Sequence, residues 1–382
     1  MTEPDDDTAR LLADAAQDFL RNAHDRERLR AVFEKRSTVD RGFWRQMAEQ
    51  GWLALRLPEA QGGSGLALAH AAVITEALGR HAVPEPFIAC AMMPAALMAA
   101  LPPSPAWAPL HRGLIDGRHV STVAWQAHPQ AMDADEPGIV AEPAPGGVRL
   151  TGRAFGVVGA PMADSVLVSA LHEGRPSLWR MPRGTEGAVW QDVLACDGGT
   201  VSVLDVDMLL PADTLLAQGP RVAAALQQAL DEATLLAACQ LVGTGSAALA
   251  LTLDYLRTRQ QFGRTIGSFQ SLQHLAADVR IQLALAQAAC MAALQRQPGP
   301  AREGDARADA QARAAIAAAK ARACDAALQA GRFGIQAHGA IGFAAEGDAG
   351  LFLKSAMRLS AWLGSAPQQR RRHGVLTGLH ED

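Results

Sequence analysis

The chain has 382 residues, 49% of them hydrophobic, and a formal net charge of −4. That length exceeds one core and fits two or three domains, and the near-balance of charge excludes a general nucleic-acid or anionic-membrane surface. Five scattered cysteines without a CxxC pair read as reduced thiols in a cytoplasmic protein, and the acidic residues 3–7 are wrong for a secretory or transit signal.

The first part reads helical. Leu11, Leu12, Ala15 and Phe19 recur at helical spacing, and Phe43, Met47 and Leu53 predict a short amphipathic helix before a turn. The loop Leu57-Pro-Glu-Ala-Gln-Gly-Gly-Ser-Gly65 follows, where Gly62, Gly63 and Gly65 suit a turn that needs positive φ. A small-residue helix runs through Glu76 to Arg80, and Leu101-Pro-Pro-Ser-Pro-Ala punctuates the chain. Short apolar runs at 121–125, 148–150, 165–170 and 200–204, separated by Pro/Gly turns, predict a small β-domain. Beyond Pro220 the chain is Ala- and Leu-rich with few breakers, and Leu235, Ala238, Cys239, Val242, Ser246, Leu249, Leu253 and Leu256 line one helical face. The uncharged run 233–253 is long enough to span a membrane. Its Thr234, Gln240, Gly243, Thr244, Gly245 and Ser246 predict a buried helix within an oligomer instead. The expected division is an N-terminal α-helical domain at 1–117, a middle β-domain at 118–220 and a C-terminal helical bundle at 221–382.

Two segments carry more specific information. One is Asp254-Tyr-Leu-Arg-Thr-Arg-Gln-Gln-Phe-Gly263 with Gly267-Ser-Phe-Gln-Ser-Leu-Gln-His274; the other is Gln336-Ala-His-Gly339-Ala-Ile-Gly342. Taken singly, Arg259 reads as a solvated helix-end charge, Phe262 as core, Gly339 as a helix C-cap, and His274 and His338 as structural or interface residues. Asp231 and Glu232 read as first-turn acids that complement a helix dipole, and Arg370-Arg371-Arg372-His373 as a solvated helix end. No zinc spacing, P-loop or Ser/His/Asp arrangement is present.

Together, in order and at their spacing, the two segments resemble the flavin motifs of acyl-CoA dehydrogenases, and the 57–65 loop resembles that family's N-terminal glycine loop. The resemblance implies an α+β fold with an N-terminal helical domain, a middle β-barrel-like domain and a C-terminal four-helix bundle. It implies FAD as cofactor, an acyl-CoA thioester as substrate, α,β-dehydrogenation, and an electron-transfer flavoprotein as a partner. It also implies a homo- or hetero-oligomer with another acyl-CoA dehydrogenase subunit, in which two chains build each flavin site. The residues it places against FAD are Arg259, Gln261, Phe262, Gln270, Gln336, Gly339, Ala340 and Ser365. Arg259 would meet the pyrophosphate, and Phe262 and Gln270 the adenosine.

The departures are as specific. Trp362-Leu363-Gly364-Ser365 stands where the family carries a Tyr-Glu-Gly-Thr-like turn, so Leu363 occupies the position of the catalytic base. Residues 124–129, Ala-Trp-Gln-Ala-His-Pro, replace a Thr-Glu-Pro-Gly-x-Gly-Ser strand end. Residues 156–160, Gly-Val-Val-Gly-Ala, replace Trp-Ile-Thr-Asn-Gly. No acid lies between Asp348 and Glu381. Some family members place the base at the start of the helix after the β-domain; helix counting from Gly263 points there to Ala233, and Glu232 is turned from it by about 100°. The expectation is a subunit without its own base that completes a partner's FAD site. The alternatives are a self-sufficient homo-oligomer using Glu232, a flavin monooxygenase of the same fold, and a structural paralogue. No metal, nucleic acid or membrane enters any of these.

Overall fold

The computed structural model describes residues 6–23, 26–35, 40–134, 136–296, 306–344 and 347–379. The first three residues of the acidic start and Glu381 lie outside them. In chain order come α1 (Asp6–Ala23), α2 (Arg26–Lys35), α3 (Arg41–Glu49), α4 (Leu68–Arg80), α5 (Met93–Ala100) and α6 (Ala108–Asp116). Eight strands follow: β1 (Ser121–Ala124), β2 (Ile139–Ala144), β3 (Gly147–Val158), β4 (Ser165–His172), β5 (Arg175–Pro182), β6 (Ala188–Leu194), β7 (Thr200–Leu210) and β8 (Leu215–Gln218). The remainder is α7 (Pro220–Thr258), a two-stranded hairpin β9 (Gln260–Gln261) and β10 (Arg264–Thr265), α8 (Gln270–Gln295), α9 (Ala306–His338), α10 (Ala340–Phe343), α11 (Ala349–Ala361) and α12 (Ala366–Leu376). Helices, strands, then helices is the expected α+β plan.

The chain divides into two compact units. One holds residues 32–71 and 84–233, with the sheet ordered β6-β7-β3-β2-β4-β5-β8 and β1 beside β4. Strand β4 runs parallel to β1 and β2, and the other pairings are antiparallel. Period-2 alternation explains β7, where Ser202, Leu204, Val206, Met208 and Leu210 turn inward. Its outward Asp207 and Asp205 pair with Arg149 and Arg153 of β3. Trp179 and Met181 anchor the core, and the Trp179 indole N–H donates to Ser177 Oγ at 2.9 Å, so its one polar group is satisfied.

The other unit holds residues 6–31, 72–83 and those from 234 onward. Here α9 packs on α8, α11 and α12. Helices α4 and α7 approach so closely that glycine is required. A Cβ on Gly79 would lie 2.0 Å from the Gln240 carbonyl oxygen, and one on Gly243 2.1 Å from that of Glu76. Periodicity misjudged α7: every residue from 229 to 245 is buried, so the helix has no solvent face there. In α1 the buried positions are Ala16 and Leu20, one residue later than predicted, and Leu11 is 65% exposed.

Helices α7 and α8 are both long and apolar enough to cross a membrane. The apolar window of α7 is 78% buried within the protein, as a core helix would be, and that of α8 is 28% buried.

Candidate functional site

Helix α7 stops at Thr258 and gives way to a short arm formed by β9 and β10. The backbone of Arg259 is spent at both ends: its N–H donates to the Tyr255 carbonyl at 2.8 Å, and its carbonyl accepts from Ile266 N–H at 2.9 Å. Its guanidinium is exposed, with no ion pair or side-chain hydrogen bond among the described residues. Phe262 sits at the tip with φ of 55° and is 90% exposed, so it is not core. A bulky residue in left-handed backbone, with its ring in solvent, is an outlier that points to an unfilled role. The edge of Phe269 meets the ring at 6.2 Å between centroids, while Arg264 stacks on the other aromatic at 4.1 Å. Gln261 donates only to the neighbouring Gln260 carbonyl, and Gln270 opens α8 exposed.

The second motif ends α9. Gly339 has φ of 63° and ψ of −135°, a conformation suited to glycine, and no heavy atom lies within 4 Å of where its Cβ would stand. Gln336, Gly339 and Ala340 are exposed, and Phe343 is 80% exposed. The structure joins this motif to the arm: the rings of Tyr255 and His338 stack at 4.2 Å and 21°. His338 Nδ1–H donates to the Gly334 carbonyl at 2.7 Å, which fixes the imidazole against the tyrosine. Segments some eighty residues apart in sequence thus form one surface carrying an unpaired guanidinium, exposed amides, open glycine backbone and bare aromatic rings. That donor set fits the pyrophosphate and adenine of FAD.

The turn that follows α11 is built differently. Leu363 has φ of 57° and Gly364 φ of 90°, and left-handed backbone at the leucine costs roughly 1–2 kcal/mol. Gln369 Nε2–H donates to the Leu363 carbonyl at 2.6 Å, and Ser365 caps α12 through a capping box with Gln368. Beneath it lies Lys320, which is fully buried and donates to the Leu359 carbonyl at 2.8 Å. A cavity of about 430 Å³ adjoins the turn, with Asp325, Gln329, Arg332, Ser360 and Ser365 in its wall. Asp325 is the acid that sequence reasoning overlooked here, but it is ion-paired with Arg370. The Leu363 side chain itself offers no proton acceptor.

In the sheet-bearing unit, the strand ends close on themselves. Gln126 turns inward, and its amide donates to the carbonyls of Ala131 and Pro129 at 2.8 and 3.3 Å. A Cβ on Gly156 would lie 2.2 Å from Gln126 Oε1, and one on Gly159 (φ of 79°) 2.4 Å from Cys90 Sγ. Thr122 Oγ–H donates to the Val158 carbonyl at 2.6 Å. Burial pushes the Cys90 thiol up to about 12, a small apolar filler rather than a nucleophile.

Two earlier readings are corrected. Asp231 and Glu232 are not first-turn acids, because α7 begins at Pro220, about three turns before them. Glu232 is buried instead, with Arg56 Nη2 at 3.0 and 3.2 Å from its two oxygens and Gln228 donating at 3.0 Å. To accept a proton it would have to leave that pair, which argues against it as a base. The 370–373 cluster is a solvated helix end only in part, with Arg370 and Arg371 exposed. Arg370 pairs with Asp325, Arg372 is 8% exposed, and His373 Nδ1–H donates to the Ala314 carbonyl at 2.9 Å. His274 is exposed on α8. The residue to which sequence reasoning gave no role is Tyr255, whose ring joins the two segments. Its signal was available, since it lies one helical turn before Arg259 on the same helix face.

Comparison with known proteins agrees with this geometry. Residues 6–101 match the profile of the acyl-CoA dehydrogenase N-terminal domain, and residues 222–374 that of the acyl-CoA dehydrogenase C-terminal domain. The acyl-CoA dehydrogenase IpdE2 of Mycobacterium tuberculosis is 28% identical over 345 residues, covering 90% of this chain and 89% of that protein. Among solved structures, a variant of the Tcur3481–Tcur3483 steroid ACAD superposes with a TM-score of 0.84 at 29% identity, covering 98% of each chain. The ChsE4–ChsE5 complex from Mycobacterium tuberculosis does so with a TM-score of 0.84 at 25% identity, covering 100% of this chain and 98% of that one. With both terminal profiles matched, the chain belongs to the acyl-CoA dehydrogenase family, whose members are FAD-dependent oxidoreductases acting on acyl-CoA.

Proposed function

We propose that this chain is the base-less subunit of a heteromeric acyl-CoA dehydrogenase and completes a partner subunit's FAD site. The observation that carries this reading is Leu363. It stands at the base position, on a turn beside a cavity whose carboxylate among the described residues, Asp325, is already ion-paired. The arm and second motif, by contrast, hold their polar groups ready. Arg259 would neutralise the pyrophosphate, Gln270 and Gln336 would orient the adenosine, and Phe262 would cover it against water. Gly339 and Ala340 let backbone approach phosphate, and Gln261 and Ser365 are further FAD contacts. When bound, FAD supplies the hydride acceptor for the substrate's β-carbon. The α-proton would leave to a carboxylate of the partner, since a leucine cannot take it.

The heteromeric reading draws support from relatives described as a two-component complex and as a steroid ACAD. On that basis the acyl group is a bulky ring-bearing one, such as a steroid side-chain thioester, and electrons pass on to an electron-transferring flavoprotein. The exposed apolar residues of α8, Leu275, Ile281, Leu285 and Met291, are then covered by another subunit in a cytoplasmic complex. Three domains at 1–117, 118–220 and 221–382 follow the change from helices to strands to helices.

Flavin stoichiometry tests the reading. The chain purified alone is expected to be folded and colourless, and to yield about one FAD per pair when co-expressed with a dehydrogenase subunit that carries the Glu. One FAD per chain in the isolated protein, bleached by an acyl-CoA without oxygen, would overturn it.

A further inference from the structure

Lys320 is the most completely enclosed cation in the molecule's described residues, at 0% exposure in the middle of α9. An ammonium has three N–H donors, and each meets an acceptor here. They are the Leu359 carbonyl at 2.8 Å, the Gly364 carbonyl at 3.4 Å and Cys324 Sγ at 3.4 Å. The Cys324 thiol in turn donates to the Ser360 carbonyl at 3.8 Å. No carboxylate forms an ion pair with Lys320 among the described residues. Burial lowers its pKa from the usual lysine range, with Cys324 acting in the opposite sense. The negative end of α11 supplies what compensation there is.

A buried cation without a counter-ion is costly, and an apolar side chain of the same length would fill the space without that cost. What the amine adds is direction. Its two carbonyl acceptors lie on either side of Leu363, one in the last turn of α11 and one in Gly364, so a single group spans the left-handed segment. Gln369 holds the carbonyl between them. With every N–H occupied, the amine has none left for a ligand.

We propose that Lys320 is a positioning residue: it holds Leu363 and Gly364 in left-handed backbone and so sets the cavity wall to which Ser360 and Ser365 belong. Its consequence for cofactor binding rests on the reading above that Ser365 meets FAD.

The test uses the two-subunit holoenzyme with Lys320→Met in this chain. Assembly and Tm are expected to stay within a few degrees of the parent, because the methionine refills the site. Amide exchange across residues 363–369 is expected to quicken at least tenfold. FAD is expected to bind roughly tenfold more weakly, with a shifted flavin absorption band, which a loss of packing alone would not give. Adding Leu363→Gly, which adopts positive φ without strain, is expected to recover most of the FAD affinity. Unchanged exchange at 363–369 overturns the positioning role. Faster exchange with unchanged FAD binding supports that role and removes Ser365 from the flavin site. If the methionine variant does not assemble, Lys320→Gln carries the same test, since it keeps a donor and loses the charge.

Discussion

The arm at residues 259–265 and the strand ends around Gln126 and Gly159 are opposite solutions to one problem. Both are segments that the sequence resemblance expects to face flavin. In the arm the backbone of Arg259 is bonded at both ends, and the side chains of Arg259 and Phe262 are left in solvent. At the strand ends the side chain of Gln126 is consumed by its own loop, and Cys90 closes on Gly159. A site that must accept a ligand keeps donors unsatisfied until the ligand arrives, whereas a retired site satisfies them internally. On the function proposed above, the difference separates a half-site kept for use from one that has been filled.

The largest effect is expected on the filled side. Gly159→Ala would set a Cβ 2.4 Å from Cys90 Sγ at φ of 79° and destabilise the chain by roughly 2–4 kcal/mol. Urea unfolding would measure it, and the folded fraction should still complete a partner's site normally. Arg259→Ala should act the other way round, leaving the urea midpoint unchanged while weakening FAD in the complex by roughly 10–100-fold, about 1.5–3 kcal/mol. Flavin absorbance after dialysis reads that loss, and its absence would break the comparison.

The pH prediction concerns Cys90. The folded thiol keeps its proton up to about 12, while the unfolded thiol loses it above roughly 8.5. The unfolded chain therefore binds fewer protons in that window, and stability falls as pH rises, by about 1.4 kcal/mol per unit from this group. Cys90→Val should flatten that part of the slope. The smallest expected effect is none: Leu363→Glu in the isolated chain should produce no dehydrogenation. Acyl-CoA-dependent bleaching in that variant would overturn the base-less reading.

Most of the fold was legible because helix and strand periods differ so clearly in this chain. The alternating β7 and the Ala-rich α9 could be read directly. What escaped was burial on all sides and pairing at long range. Lys320 lies in Ala-Lys-Ala-Arg-Ala-Cys, where a lysine reads as solvated; its clue was its place on the alanine-rich face, opposite the exposed stripe Arg322, Asp325, Gln329, Arg332 and Gln336. Glu232 and Arg56 are far apart in sequence, so nothing local showed that the acid was already held. The flavin-side residues were legible only jointly, since each alone has an ordinary structural explanation.

The stacked pair that joins the arm to the second motif has one more consequence. Tyr255 is the single tyrosine of the chain. Its ring, lying on His338, will give one resonance in a tyrosine-labelled sample, shifted by the imidazole current. The protein thus carries its own reporter, without any engineered label, at the contact between the two segments proposed to face the cofactor. Titrating a partner subunit and FAD while following that one signal would separate docking of the subunit from seating of the nucleotide.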